Sequence, residues 1–303
     1  MRLGLIGLDN THADHAIRHL NAERALGDVR IVALCGGTAE RTAQLSGQGG
    51  VEFGVDRPED LIGRIDAAVV MDRDPALHRP HAEPLLKAGI PVFVDKPLAG
   101  SVADAEAILA AARTGGVPVT SSSALRWAVE ALRARLDDLG ELRSVVATGP
   151  VQRDSPYGGV AFYGVHAVEM ALHLFEPPSG EPLISVLPGA VLATAQAGVT
   201  HATSQAGVAH ETARAGVAHA TAGAAHAVVN LVERDAEGAV PFTIQITGTR
   251  GVLAEPMTLG KDYTLPALRK FADMVETGKQ PLEEAELLAP VRLMEAITRT
   301  LPA

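Results

Sequence analysis

The chain has 303 residues, of which 47% are hydrophobic and 20% charged, so it can bury a large core and is neither disordered nor fibrous. The 26 Lys and Arg against 36 Asp and Glu give a formal net charge of −10, which argues against nucleic acid as a partner. The single cysteine, Cys35, excludes a disulfide framework within the chain and a zinc site built on several cysteines. The apolar start is too short for a signal peptide, and no apolar run reaches the roughly 18 residues of a membrane span. We therefore expect a soluble, cytoplasmic protein with no membrane partner and, at about 150 residues per domain, two domains.

The first 120 residues alternate short apolar runs with helix-like segments, which is typical of βαβ units. The predicted strands are residues 3–6, 29–34, 50–55, 66–71, 91–94 and 117–120. The predicted helices are residues 15–25, 39–45, 58–63, 80–88 and 102–113. Ser101 is placed to cap the last of these helices, and Asp104 lies in its first turn. These elements predict an α/β domain over residues 1–121, with a doubly wound parallel sheet of the Rossmann type.

Three serines at 121–123 interrupt this pattern and mark the predicted domain boundary. The helices predicted beyond them are residues 127–139, 165–174, 266–276 and 283–300. The predicted strands are residues 142–148, 225–232 and 242–247. Strands clustered between flanking helices indicate an α+β domain over residues 122–303, with an open, mainly antiparallel sheet.

The turn after the first strand is where such a sheet would hold a dinucleotide, because glycines there let backbone N–H groups approach the pyrophosphate. It reads Gly7-Leu8-Asp9-Asn10-Thr11-His12, with only one of the three glycines of the G-x-G-x-x-G pattern. We predict that the cofactor contacts Gly7, Asp9, Asn10, Thr11 and His12. The alternative is a tight strand-to-helix turn in which Asp9, Asn10 or Thr11 only caps the helix.

The end of the second strand bears on the choice of cofactor. An acidic residue there would accept the ribose hydroxyls of NAD, but the chain has Cys35-Gly36-Gly37-Thr38, followed by Arg41. With no carboxylate to repel a 2′-phosphate, and with Thr38 and Arg41 as donors, NADP fits better than NAD. The alternative for Arg41 is a solvated position on a helix.

Two more strands end in charged residues at the same edge of the predicted sheet. Asp72 follows the fourth strand, and the fifth runs into Asp95-Lys96-Pro97. Since the carboxyl ends of parallel strands form the ligand crevice, we predict that Asp72, Asp95 and Lys96 line the cofactor site, with the Lys96 ammonium beside the nicotinamide. Pro97 fixes the backbone as it leaves the strand, which would hold Lys96 in one direction.

These residues resemble motifs of the Gfo/Idh/MocA family of NAD(P)-dependent oxidoreductases, named after glucose-fructose oxidoreductase, inositol dehydrogenase and MocA. Asp95-Lys96-Pro97 is similar to the family's Glu-Lys-Pro motif. In the second domain, the segment from Tyr163 to Glu169 is similar to the family's Asp-x-Gly-x-His-x-x-Asp helix, with His166 on its histidine and Glu169 on its last aspartate. Phe162 departs from the pattern, because it stands where the first aspartate would be.

The resemblance implies an oxidoreductase that moves a hydride between a nicotinamide cofactor and a carbinol or carbonyl of a sugar, cyclitol or related polyol. It implies that His166 is the general acid or base and that Lys96 binds and polarises the reacting oxygen. By the same resemblance, Glu169, Tyr163 and Arg126 contact the substrate, and the sheet of the second domain forms a homo-oligomer.

Two other hypotheses remain open at this stage. The departures at Asp9, His12 and Phe162 also fit a relative that has lost productive cofactor binding and serves as a non-redox enzyme or a binding protein. A nine-residue repeat within residues 189–223 places His201, His210 and His219 at equal spacing. It predicts an expanded loop or edge meander without chemistry, with an oligomer contact or a metal site as alternatives.

Overall fold

The first half of the chain folds around a parallel sheet of short, apolar strands. The computed structural model describes residues 1–178, 180–197, 225–235 and 238–302. Within these residues, six strands lie in the order β3-β2-β1-β4-β5-β6: β1 (Arg2–Ile6), β2 (Arg30–Cys35), β3 (Phe53–Val55), β4 (Ala67–Val70), β5 (Val92–Val94) and β6 (Val119–Ser121). The strand order reverses between β1 and β4, so the loops after these strands diverge and leave a crevice at the carboxyl edge. The predicted doubly wound parallel sheet is confirmed.

Helices cover both faces of this sheet, because alternate strand residues enter two separate hydrophobic clusters. They are α1 (Thr11–Ile17), which continues as a π-helical turn (Arg18–Ala22), α2 (Ala39–Gly49), α3 (His78–Lys87) and α4 (Val102–Gly115), with 3-10 turns at Pro58–Leu61 and Pro75–Leu77. The Ser101 cap is confirmed, since its Oγ accepts the N–H of Asp104 at 3.1 Å.

The predicted helix over residues 15–25 is wrong at both ends. It begins earlier because the Asn10 side chain accepts the N–H of His12 at 3.2 Å and so caps α1. It ends before Arg24, whose φ of +53° leaves the right-handed helical region. The earlier start places His12 in the first turn of the helix, next to the crevice.

The second half carries a mixed sheet with one face packed on α6 (Ala161–Leu172). In the described part of this half, six strands lie in the order β12-β11-β7-β10-β9-β8: β7 (Leu142–Val151), β8 (Leu183–Leu187), β9 (Ala190–Ala197), β10 (Ala225–Glu233), β11 (Thr243–Gly248) and β12 (Val252–Pro256). β7 and β10 pair in parallel, whereas the other neighbours are antiparallel. The predicted open, mainly antiparallel sheet is confirmed.

The stretch 189–223 is described only in its first residues. They form β9, the middle strand of the antiparallel run β8-β9-β10 at one edge of the sheet, so an expanded loop is wrong for these residues and an edge meander fits them. The repeated histidines His201, His210 and His219 lie outside the described residues. β8, β9 and β12 have no counterpart among the predicted strands.

The prediction of a helix over residues 127–139 is wrong in its bounds, because the observed helix is shorter. It starts earlier, as α5 (Ala124–Glu130), because the Oγ of Ser123 caps it by accepting the N–H of Leu125 at 3.1 Å. Two 3-10 turns follow it, at Arg133–Arg135 and Asp137–Leu139. This places Ser123 between the two halves of the chain.

The last two helices return to the first sheet. α7 (Leu265–Thr277) lays Phe271 against Phe93 of β5, with ring centroids 5.9 Å apart. α8 (Glu284–Thr300) contributes Val291 to the core of the first half and Met294 to that of the second. Among the described residues, no helix is both long enough and apolar enough to span a bilayer. The boundary at residue 121 thus separates two sheets but not two sets of helices.

We predict that Phe271→Ala lowers the free energy of unfolding by about 3–5 kcal/mol, because it removes a buried ring at the contact between α7 and the first sheet. Urea unfolding followed by circular dichroism measures the change. Glu276→Ala is the control, since Glu276 is exposed on the same helix and its truncation should cost less than about 0.5 kcal/mol. Equal stability of Phe271→Ala and the parent chain would contradict the packing of α7 on this sheet.

Candidate active site

The crevice at the carboxyl edge of the first sheet begins with a close backbone approach. Gly7 follows β1 with φ +78°, a conformation that L side chains rarely adopt. A Cβ at Gly7 would also collide with the backbone nitrogen of Asp72, at the end of β4. Only glycine lets these two loops meet, so the single glycine of the predicted phosphate turn is a structural requirement.

The rest of the turn is fixed by side chains where the usual pattern has glycines. Asn10 caps α1, and Arg73 donates from Nη2 to the carbonyl oxygen of Asp9 at 2.8 Å. The side chains of Asp9 and Thr11 are exposed. The carboxylate of Asp9 is therefore not buried against the position of the pyrophosphate.

Asp95, at the end of β5, is a buried hub that joins this turn to the next loop. Its Oδ2 accepts from Asn10 Nδ2 at 3.1 Å and lies 2.7 Å from His12 Nδ1. Burial alone would raise the pKa of this carboxyl, but His12, followed by Lys96 and His78, lowers the pKa well below its usual range. Asp95 is thus ionised and holds the His12 ring as a hydrogen-bond donor.

Lys96 and His166 come together in one small pocket beside this hub. The cavity has a volume of about 20 Å³, room for roughly one water, and its lining includes His12, Asp95, Lys96, His166 and Thr264. Thr264 Oγ1 is buried and has no hydrogen-bond partner among the described residues. A polar group of a bound molecule would satisfy that hydroxyl. The two residues that the motifs predict as catalytic therefore share a site.

The Lys96 ammonium lies over an aromatic ring. Its Nζ is 5.4 Å from the centroid of Phe162, the residue that replaces the first aspartate of the family's helix. Tyr163 stands edge-on to Phe162 at 4.8 Å, and the guanidinium of Arg234 lies 5.4 Å from the centre of the Tyr163 ring. Phe162 therefore places an aromatic ring beside Lys96 where the motif would place a carboxylate, and Tyr163 packs against Phe162.

The His166 imidazole is held by Ser123, which the sequence predicts only as part of a domain boundary. Nδ1 of His166 lies 2.7 Å from Ser123 Oγ. Burial first, and then the positive charges of Lys96 and His12, lower the pKa of His166 well below 6.5. His166 is therefore neutral at neutral pH, with Nδ1 engaged and Nε2 left for a reacting group.

Arg126 and Glu169, predicted as substrate contacts, are buried and paired with each other. Arg126 Nε donates to Glu169 Oε2 at 2.9 Å, and the same oxygen accepts the N–H of Ser123 at 2.9 Å. Burial raises the pKa of Glu169, although Arg126 opposes this. The pair thus supports the backbone of Ser123, and contact of either residue with a substrate stays a prediction.

His173, a residue without a predicted role, extends this network. Its Nδ1 lies 3.1 Å from Arg126 Nη1, and its Nε2 lies 2.6 Å from Glu130 Oε2. Burial and the charge of Arg126 lower the pKa of His173 to about 4. Its position seven residues after His166, on the same helix face, is the signal that could have placed it there.

Asp72 is buried, and its carboxylate is paired with a histidine of α3. Oδ2 of Asp72 lies 2.7 Å from His81 Nδ1, and this hydrogen bond raises the pKa of His81. His78, one turn earlier, bridges two carbonyl oxygens, that of Pro97 at 2.9 Å and that of Asp72 at 3.0 Å. α3 therefore pins the loops after β4 and β5, and the predicted contact of Asp72 with the cofactor stays untested.

Arg41 and Thr38, the predicted donors to a 2′-phosphate, already have partners. Arg41 Nη1 and Nη2 pair with the two carboxylate oxygens of Asp14 at 2.8 and 2.5 Å, and Nε donates to the carbonyl of Leu8 at 2.7 Å. Thr38 Oγ1 caps α2 by accepting the N–H of Arg41 at 3.1 Å. The two predicted donors thus already have contacts within the protein, and the choice between NADP and NAD stays a prediction.

One group of residues in the described part of the chain has the spacing of metal ligands. The ligand atoms of His19, Glu23 and Asp262 lie within 4.8 Å of one another. Arg18 already joins them, because its Nη1 donates to Glu23 and to Asp262 at 3.0 Å each. The guanidinium neutralises the carboxylates that a metal ion would need.

Comparison with known proteins supports a dinucleotide-binding first half. Residues 1–123 match the family model of the Gfo/Idh/MocA oxidoreductases, described as an oxidoreductase family with an NAD-binding Rossmann fold. The resemblance read from the sequence is confirmed for this segment. A 1,5-anhydro-D-fructose reductase of Ensifer adhaerens is 33% identical over 174 residues, which are 57% of this chain and 47% of that protein. The chain thus spans about half the length of this relative.

Solved structures match almost the whole fold. A myo-inositol dehydrogenase of Corynebacterium glutamicum superposes with a TM-score of 0.74 at 17% identity, over 99% of this chain and 96% of that one. GenD2 from gentamicin A biosynthesis, solved in complex with NAD, gives 0.74 at 18% identity, over 99% and 93%. At these identities the likeness establishes the architecture of both halves and nothing about substrate.

We predict that Lys96→Met raises the pKa of His166, because it removes a positive charge that disfavours the imidazolium while keeping a side chain of similar length. An NMR pH titration of the imidazole C–H signal, assigned with His166→Gln, measures the pKa in each protein. Lys87→Met is the matched control, since Lys87 is exposed and paired with Glu83. An unchanged pKa of His166 in Lys96→Met would show that the two groups do not face each other.

Proposed function

Residues 1–123 belong to the Gfo/Idh/MocA oxidoreductases with their NAD-binding Rossmann fold, and from this premise we propose that the protein is a nicotinamide-dependent dehydrogenase or reductase. Its substrate would be the carbinol or carbonyl of a sugar, cyclitol or related polyol. One observation carries the proposal. Lys96 and His166, from different halves of the chain, line a single pocket at the carboxyl edge of the parallel sheet.

The residues around the crevice fit a dinucleotide. The turn from Gly7 to Thr11 would hold the pyrophosphate at the start of α1. Gly36 and Gly37 have φ of +77° and +81°, and a Cβ on Gly36 would meet nothing within 4 Å, so the backbone after β2 is open to a ribose. The unpartnered hydroxyl of Thr264 in the pocket also fits a bound polar group. When bound, the nicotinamide supplies or accepts the hydride.

Lys96 and His166 divide the work on the reacting oxygen of the substrate. The Lys96 ammonium donates a hydrogen bond to that oxygen and stabilises negative charge that develops on it. In the oxidative direction, neutral His166 takes the hydroxyl proton on Nε2, and in the reductive direction it returns that proton. Because burial lowers its pKa, the ring is in its proton-accepting form at neutral pH, while the same shift makes it a weaker base.

Ser123 keeps the ring in place in both protonation states. For Nε2 to accept a proton, Nδ1 must carry the hydrogen, so Ser123 Oγ accepts the Nδ1–H bond both before and after the transfer. Glu169 and Arg126 fix the backbone of Ser123 from the other side. We assign Ser123 as a positioning residue, because it acts on the substrate through His166.

The two halves would then have separate roles. Residues 1–121 hold the cofactor, and residues 122–303 supply His166 and form a homo-oligomer through the open face of the second sheet. Leu183 and Leu187 of β8, at one edge of this sheet, are exposed by 78% and 51%, which supports a contact surface at that edge. A cytoplasmic location belongs to the same proposal.

The proposal predicts that the protein binds NADH or NADPH, measured by the fluorescence of the reduced nicotinamide or by calorimetry. Binding of neither at millimolar concentration would leave the non-redox hypothesis.

With a polyol substrate found by screening, Lys96→Ala should lower kcat by about 10²–10⁴ while cofactor affinity stays within about tenfold. Lys87→Ala is the matched control, and an unchanged kcat in Lys96→Ala would refute the role of Lys96.

The role of Ser123 predicts different effects for two substitutions at that position. Ser123→Gly removes the hydroxyl but keeps an acceptable helix cap, so kcat should fall by about tenfold and the pH profile should shift, with little change in thermal stability. Ser123→Thr keeps a hydroxyl and should retain most activity. Ser101→Gly, at a cap far from His166, is the control. Parent-like kcat and pH profile in Ser123→Gly would contradict the proposal for Ser123.

A further inference from the structure

Arg41 is held in a specific geometry at the place where a cofactor's adenosine ribose would lie. It stands in the first turn of α2, which follows the glycines at the end of β2, and a Cβ on the first of these, Gly36, would meet nothing within 4 Å. Its two terminal nitrogens form a bidentate pair with Asp14 of α1, and its Nε donates to the carbonyl of Leu8. Bidentate guanidinium–carboxylate pairs are strong and orient the guanidinium. The guanidinium of Arg41 is therefore not free to contact a 2′-phosphate.

The charges around Arg41 also disfavour a second anion. Asp14 pairs with the guanidinium, and the carboxylates of Asp14 and Asp9 both raise the pKa of Arg41. Glu40 is exposed in the same turn of α2. Two carboxylates, those of Asp14 and Asp9, thus act on this positive charge. A 2′-phosphate, with a charge of about −1.5 to −2, would have to break the Asp14 pair or enter a negative field. The 2′-hydroxyl of NAD requires neither.

We propose that Asp14, by engaging Arg41, makes the cofactor site select NAD over NADP. The inference rests on the proposed dinucleotide-dependent function and adds the residue that sets its specificity. It also explains how the site rejects a 2′-phosphate without an acidic residue at the end of β2, since the repelling carboxylate comes from α1. Thr38 remains able to donate its hydroxyl proton to a ribose, because its oxygen accepts the cap bond.

The test compares the dissociation constants of NADH and NADPH by fluorescence titration, which requires no substrate. We expect the parent protein to bind NADH at least about tenfold more tightly than NADPH. Asp14→Ala should release Arg41 and lower that preference by about tenfold, the value of one charge-assisted hydrogen bond. Asp14→Asn, which keeps the shape of the side chain, should move the ratio in the same direction. A thermal melt of each variant verifies that it is folded.

Two control variants distinguish the effect of the Asp14–Arg41 pair from a general effect of removing negative charge. Glu40→Gln removes one nearby negative charge without freeing Arg41, so it should change the ratio less than about twofold. The double variant Asp14→Ala with Arg41→Gln should lose the gain in NADPH affinity, because the gain requires the guanidinium. A Glu40→Gln effect as large as that of Asp14→Ala, or a gain that persists in the double variant, would overturn the inference.

The failure of this inference differs from the failure of the proposed function. NADH binding with a parent preference for NADPH, or with an unchanged ratio in a folded Asp14→Ala, overturns the role of Asp14 alone. Binding of neither cofactor overturns both.

Discussion

The geometry of the site depends on one buried carboxylate, that of Asp95. It lies at the end of a strand, beside Lys96, and it holds the first turn of α1 through Asn10 and His12. A buried charge of this kind is tolerated only when it is well paired, and its partners are then fixed as firmly as it is. The phosphate turn and the loop of Lys96 therefore cannot move independently. In this chain the Asp95 carboxylate, the cap residue Asn10 and His12 of α1 fix the turn, which has only one glycine of the G-x-G-x-x-G pattern.

The second half is joined to the end of the first sheet at Ser123. Three contacts converge on that residue: its oxygen caps α5 and reaches His166, and its N–H reaches Glu169. The point where the chain leaves the first sheet is thus also the point that orients the histidine of the other half. Because a residue at this linker position contacts His166, the boundary between the halves is more than a passive connection.

The sequence was sufficient to predict that Lys96 and His166 lie together, because each stands in a local pattern whose place in the fold follows from strand and helix order. The sequence was insufficient to predict contacts between residues that lie far apart along the chain. Arg41 and Asp14 are 27 residues apart, and nothing in either segment says that they pair. The same applies to Asp72 with His81 and to Arg126 with Glu169. α1 begins at Thr11 and α5 at Ala124 because Asn10 and Ser123 cap these helices. The periodicity of apolar residues contains no information about such caps. β9 was hidden because alanine-rich repeats carry little strand pattern.

The return of α7 to the first sheet has a consequence for synthesis. A chain emerging from the ribosome completes its first six strands early, but the core that contains Leu3, Leu5 and Phe93 also requires Phe271 from the far end. Until α7 has been made, one apolar face of the dinucleotide sheet is left without that cover. The same terminal segment brings Tyr263 against His12, with ring centroids 5.6 Å apart. An unfinished chain therefore has neither a closed core nor a complete crevice, so assembly of the site is tied to completion of the polypeptide.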